Sequence, residues 1–186
     1  MQRVDQSAAV CRIFTYKEGV LSGLAHDLRI NVTSFSIDFG GADRFISARF
    51  DTRSLRVDCA MEDGRERPDL LSQRDKDDIN SNIIREVLQT DTFPEILLIS
   101  SAIKKQGADY LVAGRLVMHG QTREISFNVR KENQSRYVVD FNLHLPDFGI
   151  TPFSALFGAI RIKPDVLVHI EIPAEYVPED ALALDK

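Results

Sequence analysis

A mainly β fold, an eight-stranded antiparallel barrel with one inserted α-helix, is what this sequence predicts, on three observations. Apolar and polar residues alternate with period two along most of the chain. About eight such segments follow one another, several joined by short Gly- or Asn-containing turns such as "HGQT" and "ENQSR". One stretch alone, about 75–89, carries apolar residues at helical spacing. Eight amphipathic strands can close into a barrel whose interior holds side chains or one small ligand. With apolar residues on one face and charges on the other, the closed form must be greasy inside.

The elements follow in chain order. A first strand, hard to phase, is expected around Ala9–Tyr16. Leu28, Ile30 and Val32 then share one face, and the apolar set shifts to odd positions at Phe35, Ile37 and Phe39. A phase slip inside one apolar run predicts a β-bulge near Thr33–Ser34. Ile46, Ala48 and Phe50 form the next strand. From Asp75 to Gln89 the recurrence of Ile79, Ile83 and Val87 predicts the helix, with Asp75, Asp77 and Asp78 at its dipole-favoured start and Pro94 barring continuation. Strands return at Ile96–Ser100, Val112–Met118, Ile125–Val129 and Val139–Leu145. A helical turn is expected at Pro152–Leu156, because Thr151 can cap it and Pro suits the first helical position. The last strand is the most regular: Ile160, Ile162, Val166, Val168, Ile170 and Ile172 alternate with charged residues, and Pro164 marks a bulge or edge.

The 186 residues form one domain over 1–176, with 177–186 as a tail that is exposed or docks on the domain. A net charge of −5 and scattered basic residues argue against a nucleic-acid partner. No apolar run approaches the ~20 residues that span a bilayer. The start, "MQRVDQSAAVCRIF", shows no basic region followed by an apolar core, so no signal peptide and a cytoplasmic setting are expected. Cys11 and Cys59 are too few for a disulfide framework or a zinc site. Two packed thiols are the simple reading, and one bridge between them the alternative.

Chemistry-bearing motifs are sparse. His26, His119, His144 and His169 form no metal-spaced pair, and no metal or other cofactor is expected. His144 and His169 fall on outward polar faces of adjacent strands. In "HGQTRE", Gly120 supports a tight hairpin, which puts His119 and Glu124 on the solvated face. Adjacent strand residues point to opposite faces, so His26 and Asp27 do not form a dyad if extended. His26 then shares a face with Leu28 and Ile30. It is tied to backbone or covers the barrel end, anchors a ligand's polar group, or, least in keeping with its context, acts as a base. No nucleophile elbow, phosphate loop or dinucleotide fingerprint occurs, and "DFG" at Asp147–Gly149 stands without the rest of a kinase. Phe148, Phe153 and Phe157 cluster before the last strand, either as core at one barrel end or as the lining of an apolar cavity.

Five stretches, in order, carry a likeness to a known family: "LSGLAHDLRINV", "ARFDTRSLRV", "TFPEILLISSAI", "VAGRLVMHGQTREISFNV" and "DFGITPFSALFGAIRIKPDVLVHIEI". Together, over roughly Ala9 to Ala174, the chain resembles YceI-like proteins, and its "HDL" stretch resembles a leaderless branch of them. The G-x-L-x-x-H-G-x-T hairpin, the F-P-x-I strand entry and the D-F-G-I corner are the most specific marks. The resemblance implies a lipocalin-like barrel that encloses isoprenoid or other acyl chains without enzymatic activity, often as a homodimer. Many relatives have an arginine just before the D-F-G-I corner, where this chain has Leu145 and Pro146.

The expected partner is thus an apolar small molecule or lipid held inside the barrel. The candidate lining is Leu28, Ile30, Val32, Leu98, Leu116, Met118, Phe127, Phe141, Leu143, Phe148 and Phe157, with His26 as a polar anchor. The alternative is a filled barrel that serves as an interaction or assembly module without a ligand.

Overall fold

The computed structural model describes residues 2–19, 25–40, 45–132 and 135–178. Twelve strand segments pair into one curled antiparallel sheet: β1 (Gln2–Asp5), β2 (Val10–Thr15), β4 (Asp27–Val32), β5 (Phe35–Phe39), β6 (Ile46–Asp51), β7 (Leu55–Glu62), β8 (Arg65–Arg67), β9 (Glu95–Gln106), β10 (Asp109–Met118), β11 (Gln121–Glu132), β12 (Arg136–His144) and β15 (Asp165–Pro173). β3 (Lys17–Glu18), β13 (Ser154–Ala155) and β14 (Ile160–Ile162) form a separate small sheet.

Of the four strands beyond eight, two come from bends and two, β1 and β8, are added at the ends of the sheet. β4 and β5 are one run broken at Thr33–Ser34, and β6 and β7 one run broken by the 3-10 turn Thr52–Ser54. At the first bend the Thr33 amide donates to the Ser54 carbonyl (3.1 Å), and the Asp51 amide to Ser34 (3.0 Å). Buried positions are Leu28, Ile30 and Val32 before it, and Phe35, Ile37 and Phe39 after it, as the phase slip predicts. Through these bent runs the ladder returns on itself: β5–β6–β9–β10–β11–β12–β15–β2–β4. The class is barrel-like and antiparallel throughout.

His119 and Gly120, with φ of 51° and 72°, make the two-residue turn between β10 and β11, in register at Met118↔Gln121. Both positive φ values match the strand twist, and glycine bears the second without strain. The expected turn at "ENQSR" includes 133 and 134, which lie outside the described residues.

The helix α1 spans Gln73–Asn82, two residues earlier than its periodicity suggests, and passes into a π-helical turn at Ile83–Val87. Its start is set by a capping box between Ser72 and Asp75 rather than by the acidic run alone. The Val57 amide donates to Asn80 Oδ1 (2.8 Å), which ties α1 to β7. Ile79 and Ile83 pack on Leu28, Ile30, Val57, Ala60 and Leu71.

Two expected elements differ. No helical turn fills Pro152–Leu156, where Ser154 and Ala155 are strand; 3-10 turns lie to either side, at Leu145–Phe148, which Gly149 ends at φ 69°, and at Leu156–Gly158. The final alternating run is split at Pro164, so Ile160–Ile162 pairs with β3 while β15 alone joins the barrel. Val177, counted with the tail, is buried on the domain. No helix among the described residues is long and apolar enough to cross a membrane.

Candidate functional site: a two-part apolar chamber

The inward faces of the barrel strands leave a cavity of about 160 Å³. Among the described residues its wall holds aliphatic, aromatic and sulfur-bearing side chains and no charged residue. Val32, Leu98, Leu116, Met118, Phe127, Phe141 and Leu143 all face it, as their alternation predicts. So do Cys11, Phe39, Phe50, Tyr137, Val168 and Ile170. Burial with no compensating partner pushes the Cys11 thiol up to about 12.

A second space of about 480 Å³ lies between α1 and the barrel end. Leu28 and Ile30 line this outer space rather than the inner cavity, a correction to their expected place. They precede the bend at Thr33–Ser34, and β4 packs its apolar face on the helix. His26 lines it too, in phase with Leu28 and Ile30. Asp27 points away to accept from the Lys17 amide at 2.8 Å, so the neighbours form no dyad. Leu145 and Val166 line both spaces, so the two lie side by side, the inner and outer parts of the chamber, with these side chains in the wall they share.

The outer part carries the polar groups: Thr15, His26, Asp75, Asp78 and Asn82. Thr15 Oγ1 is buried, with no hydrogen-bond partner among the described residues. The Ser72 hydroxyl and amide donate to the Asp75 carboxylate at 2.6 and 2.9 Å, and these bonds hold it below the usual carboxylate range.

Two phenylalanines depart from the expected lining. Phe148 is buried to 2% exposure but lies in the core at the barrel end, on neither part of the chamber wall. Phe157 is fully exposed, at φ 56° in the turn between β13 and β14. That turn belongs to the small sheet outside the barrel, so spacing to Phe153 says nothing of its side. Phe153 itself lines the outer space.

His119 is a further correction. It is not on a solvated face: its ring packs on Phe93, centroids 4.1 Å apart, and Nδ1 lies 3.3 Å from the Phe148 carbonyl oxygen. Its positive φ turns the side chain out of strand alternation and against the barrel end. His144 and His169 do face outward, each beside a carboxylate: His144 Nδ1 is 2.8 Å from Asp165, and His169 is 2.6 Å from Asp140 and 3.0 Å from Glu171. Cys11 and Cys59 are free and buried. Among the described residues no group of three His, Cys, Asp or Glu could hold a metal ion. What alternation could not locate was the helix side of the chamber, because Asp78, Asn82 and Phe153 come from elements that meet it only in three dimensions.

The model of the YceI-like domain matches residues 4–174 of the chain. Solved structures share the fold at low identity. BcnA of Burkholderia cenocepacia is 14% identical, with a TM-score of 0.64, covering 90% of this chain and 97% of its own. A polyisoprenoid-binding domain of Saccharophagus degradans, implicated in plant cell wall breakdown, is 13% identical with a TM-score of 0.56 over 91% and 94%. The Campylobacter jejuni YceI protein is 13% identical with a TM-score of 0.54 over 79% and 84%. No curated protein matches the chain.

Proposed function

The chain belongs to the YceI-like family, and from that footing we propose that it carries or sequesters a long apolar ligand, an isoprenoid or fatty-acyl lipid, without catalysing a reaction on it. The observation that supports this most is the chamber: an inner cavity with no charged residue among the described lining, which shares the wall of Leu145 and Val166 with a larger outer space holding a few polar groups. Apolar walls with sparse polar groups are what ligand sites in proteins share. Binding would come from burying the chain against the inner wall, at roughly 25 cal/mol per Å² before ordering costs. The relative from Saccharophagus degradans that is described as polyisoprenoid-binding fits the same reading. A cytoplasmic setting and a homodimeric state belong to the proposal, to be tested by fractionation and by sedimentation.

The test is direct. Protein purified without detergent is extracted with organic solvent and the extract analysed by mass spectrometry, and the emptied protein is offered isoprenoids and fatty acids. A stoichiometric lipid, or saturable uptake, is expected. Repeated recovery of no lipid together with no uptake sinks the reading.

A second reading, a filled barrel acting as an assembly module, draws on the inner volume. About 160 Å³ is close to the engineered cavity of about 150 Å³ that holds one benzene. A whole long chain therefore needs the outer space as well. If substitutions facing the chamber alter stability alone and leave uptake at zero, the module reading stands in its place.

A further inference from the structure

We propose that the ligand enters the inner cavity sideways, through the seam between β11 and β12, with the stacked rings of Phe127 and Phe141 as the gate. This rests on the carrier reading above and adds to it the route by which the cavity is loaded.

At the seam both strands continue but their ladder does not. β11 runs over Gln121–Glu132 and β12 over Arg136–His144, yet among the described residues they pair only from Val129↔Val139 to Glu132↔Arg136. Continued in the same register, Phe127 faces Phe141 and Ile125 faces Leu143. All four side chains line the inner cavity. The wall there is closed by side chains alone, and the two rings stack across it.

On their far sides both strands are anchored. β11 pairs with β10 from Met118↔Gln121 to Tyr110↔Val129, and β12 with β15 from Arg136↔Pro173 to His144↔Asp165. Parting β11 from β12 at the rings therefore breaks no ladder hydrogen bond, while parting either strand from its other neighbour breaks several. Edge backbone groups without a strand partner turn to water, so water reaches the seam as far as the rings. Phe127 is buried, and Phe141 and Ile125 are half-buried, which makes the ring pair the barrier between that water and the cavity. The wall shared with the outer space offers no such break. There the Leu145 amide donates to the Pro164 carbonyl (2.9 Å), and Val166 sits in the β12–β15 ladder opposite Leu143.

The experiment staples the seam and follows the rate of loading. Ser126→Cys/Asn142→Cys puts two thiols at exposed positions outside the cavity wall, opposite one another when the register is continued. Arg115→Cys/Glu124→Cys does the same across the intact β10–β11 ladder and is the control. Cys11 and Cys59 are buried, and the parent treated alike is the blank. Each full chain, emptied of lipid, is treated with a short bifunctional thiol reagent, and a single bridge is verified by mass. Uptake of cis-parinaric acid, a fatty acid that fluoresces in an apolar site, is then followed by stopped flow. The seam staple should slow uptake roughly tenfold or more, since loading then waits for ladder bonds to open. The control staple should leave the rate at the parent's value, and neither staple should change the final occupancy. Phe141→Ala, left unstapled, removes one ring of the stack and should load a few-fold faster. If the seam thiols do not bridge, the Phe141→Ala rate decides. Stapled seams that load as fast as the parent, or Phe141→Ala that loads no faster, overturn the gate alone. A parent that takes up neither cis-parinaric acid nor isoprenoids overturns the carrier reading, and the gate with it.

Discussion

Phe127 and Phe141 stack across the seam between β11 and β12, ring centroids 5.4 Å apart and planes 25° from parallel. Among the described residues the β11–β12 ladder holds only from Val129↔Val139 to Glu132↔Arg136. Beyond it, residues 121–128 of β11 pair with β10 alone. The aromatic pair therefore closes, with side chains, a stretch of barrel wall that backbone hydrogen bonds leave open. Amide exchange should report this directly. Alternate amides between Gln121 and Asn128, those turned to the seam, should exchange far faster than those bonded to β10. Uniform protection along the segment would show that the seam is sealed by backbone after all.

Filling the inner cavity should separate binding from stability. Ala48 lines it, opposite Leu98 in the ladder. Ala48→Leu adds three carbons to space that is already there, so stability should stay within about 1 kcal/mol of the parent, the burial gained offsetting modest overpacking. Uptake of isoprenoids and fatty acids by the emptied protein should fall. Unaltered uptake would place the ligand outside the barrel.

The two phenylalanines that sequence spacing groups together should behave oppositely. Phe148 is almost wholly buried and Phe157 fully exposed. Chemical denaturation should show a loss of ~3–5 kcal/mol for Phe148→Ala and a change within about 0.5 kcal/mol for Phe157→Ala. A large loss at Phe157 would mean that another surface covers it.

Gly114 has no room for a side chain. A Cβ there would lie 2.5 Å from the Ile99 carbonyl oxygen and 2.8 Å from Ser100 Cα, at the register shift between β9 and β10. Both are backbone atoms that cannot swing aside. Gly114→Ala should cost about 1–3 kcal/mol in a urea titration, and a neutral result would show that the bulge relaxes freely.

Acid should weaken the outer ladder through Glu171. The His169 hydrogen bond, with help from the Arg136 and Arg12 charges, holds this carboxyl below its ordinary value against the opposing effect of burial. The folded state thus binds this proton less readily than the unfolded chain. Its stabilising contribution is full above about pH 4.3 and is lost as pH falls through the lower folded value. The stability gap between the parent and Glu171→Gln should accordingly shrink on moving from about pH 6 to about pH 3. A constant gap would remove the linkage.

By itself the sequence determined the strand-rich class, the inward faces and the bend at Thr33–Ser34, because a side-chain period of two and its slip are local properties of the chain. The hairpin at His119–Gly120 was equally legible, since turn chemistry is local. Only the tertiary structure decided that Leu28 and Ile30 face the helix and not the inner cavity, that Phe157 stands outside, and that His119 is packed under Phe93. It also decided that Asp75 and Asp78 come to rest over the barrel end beside His26 and Thr15. Those facts depend on which distant segments close on one another, and periodicity along the chain carries no record of that.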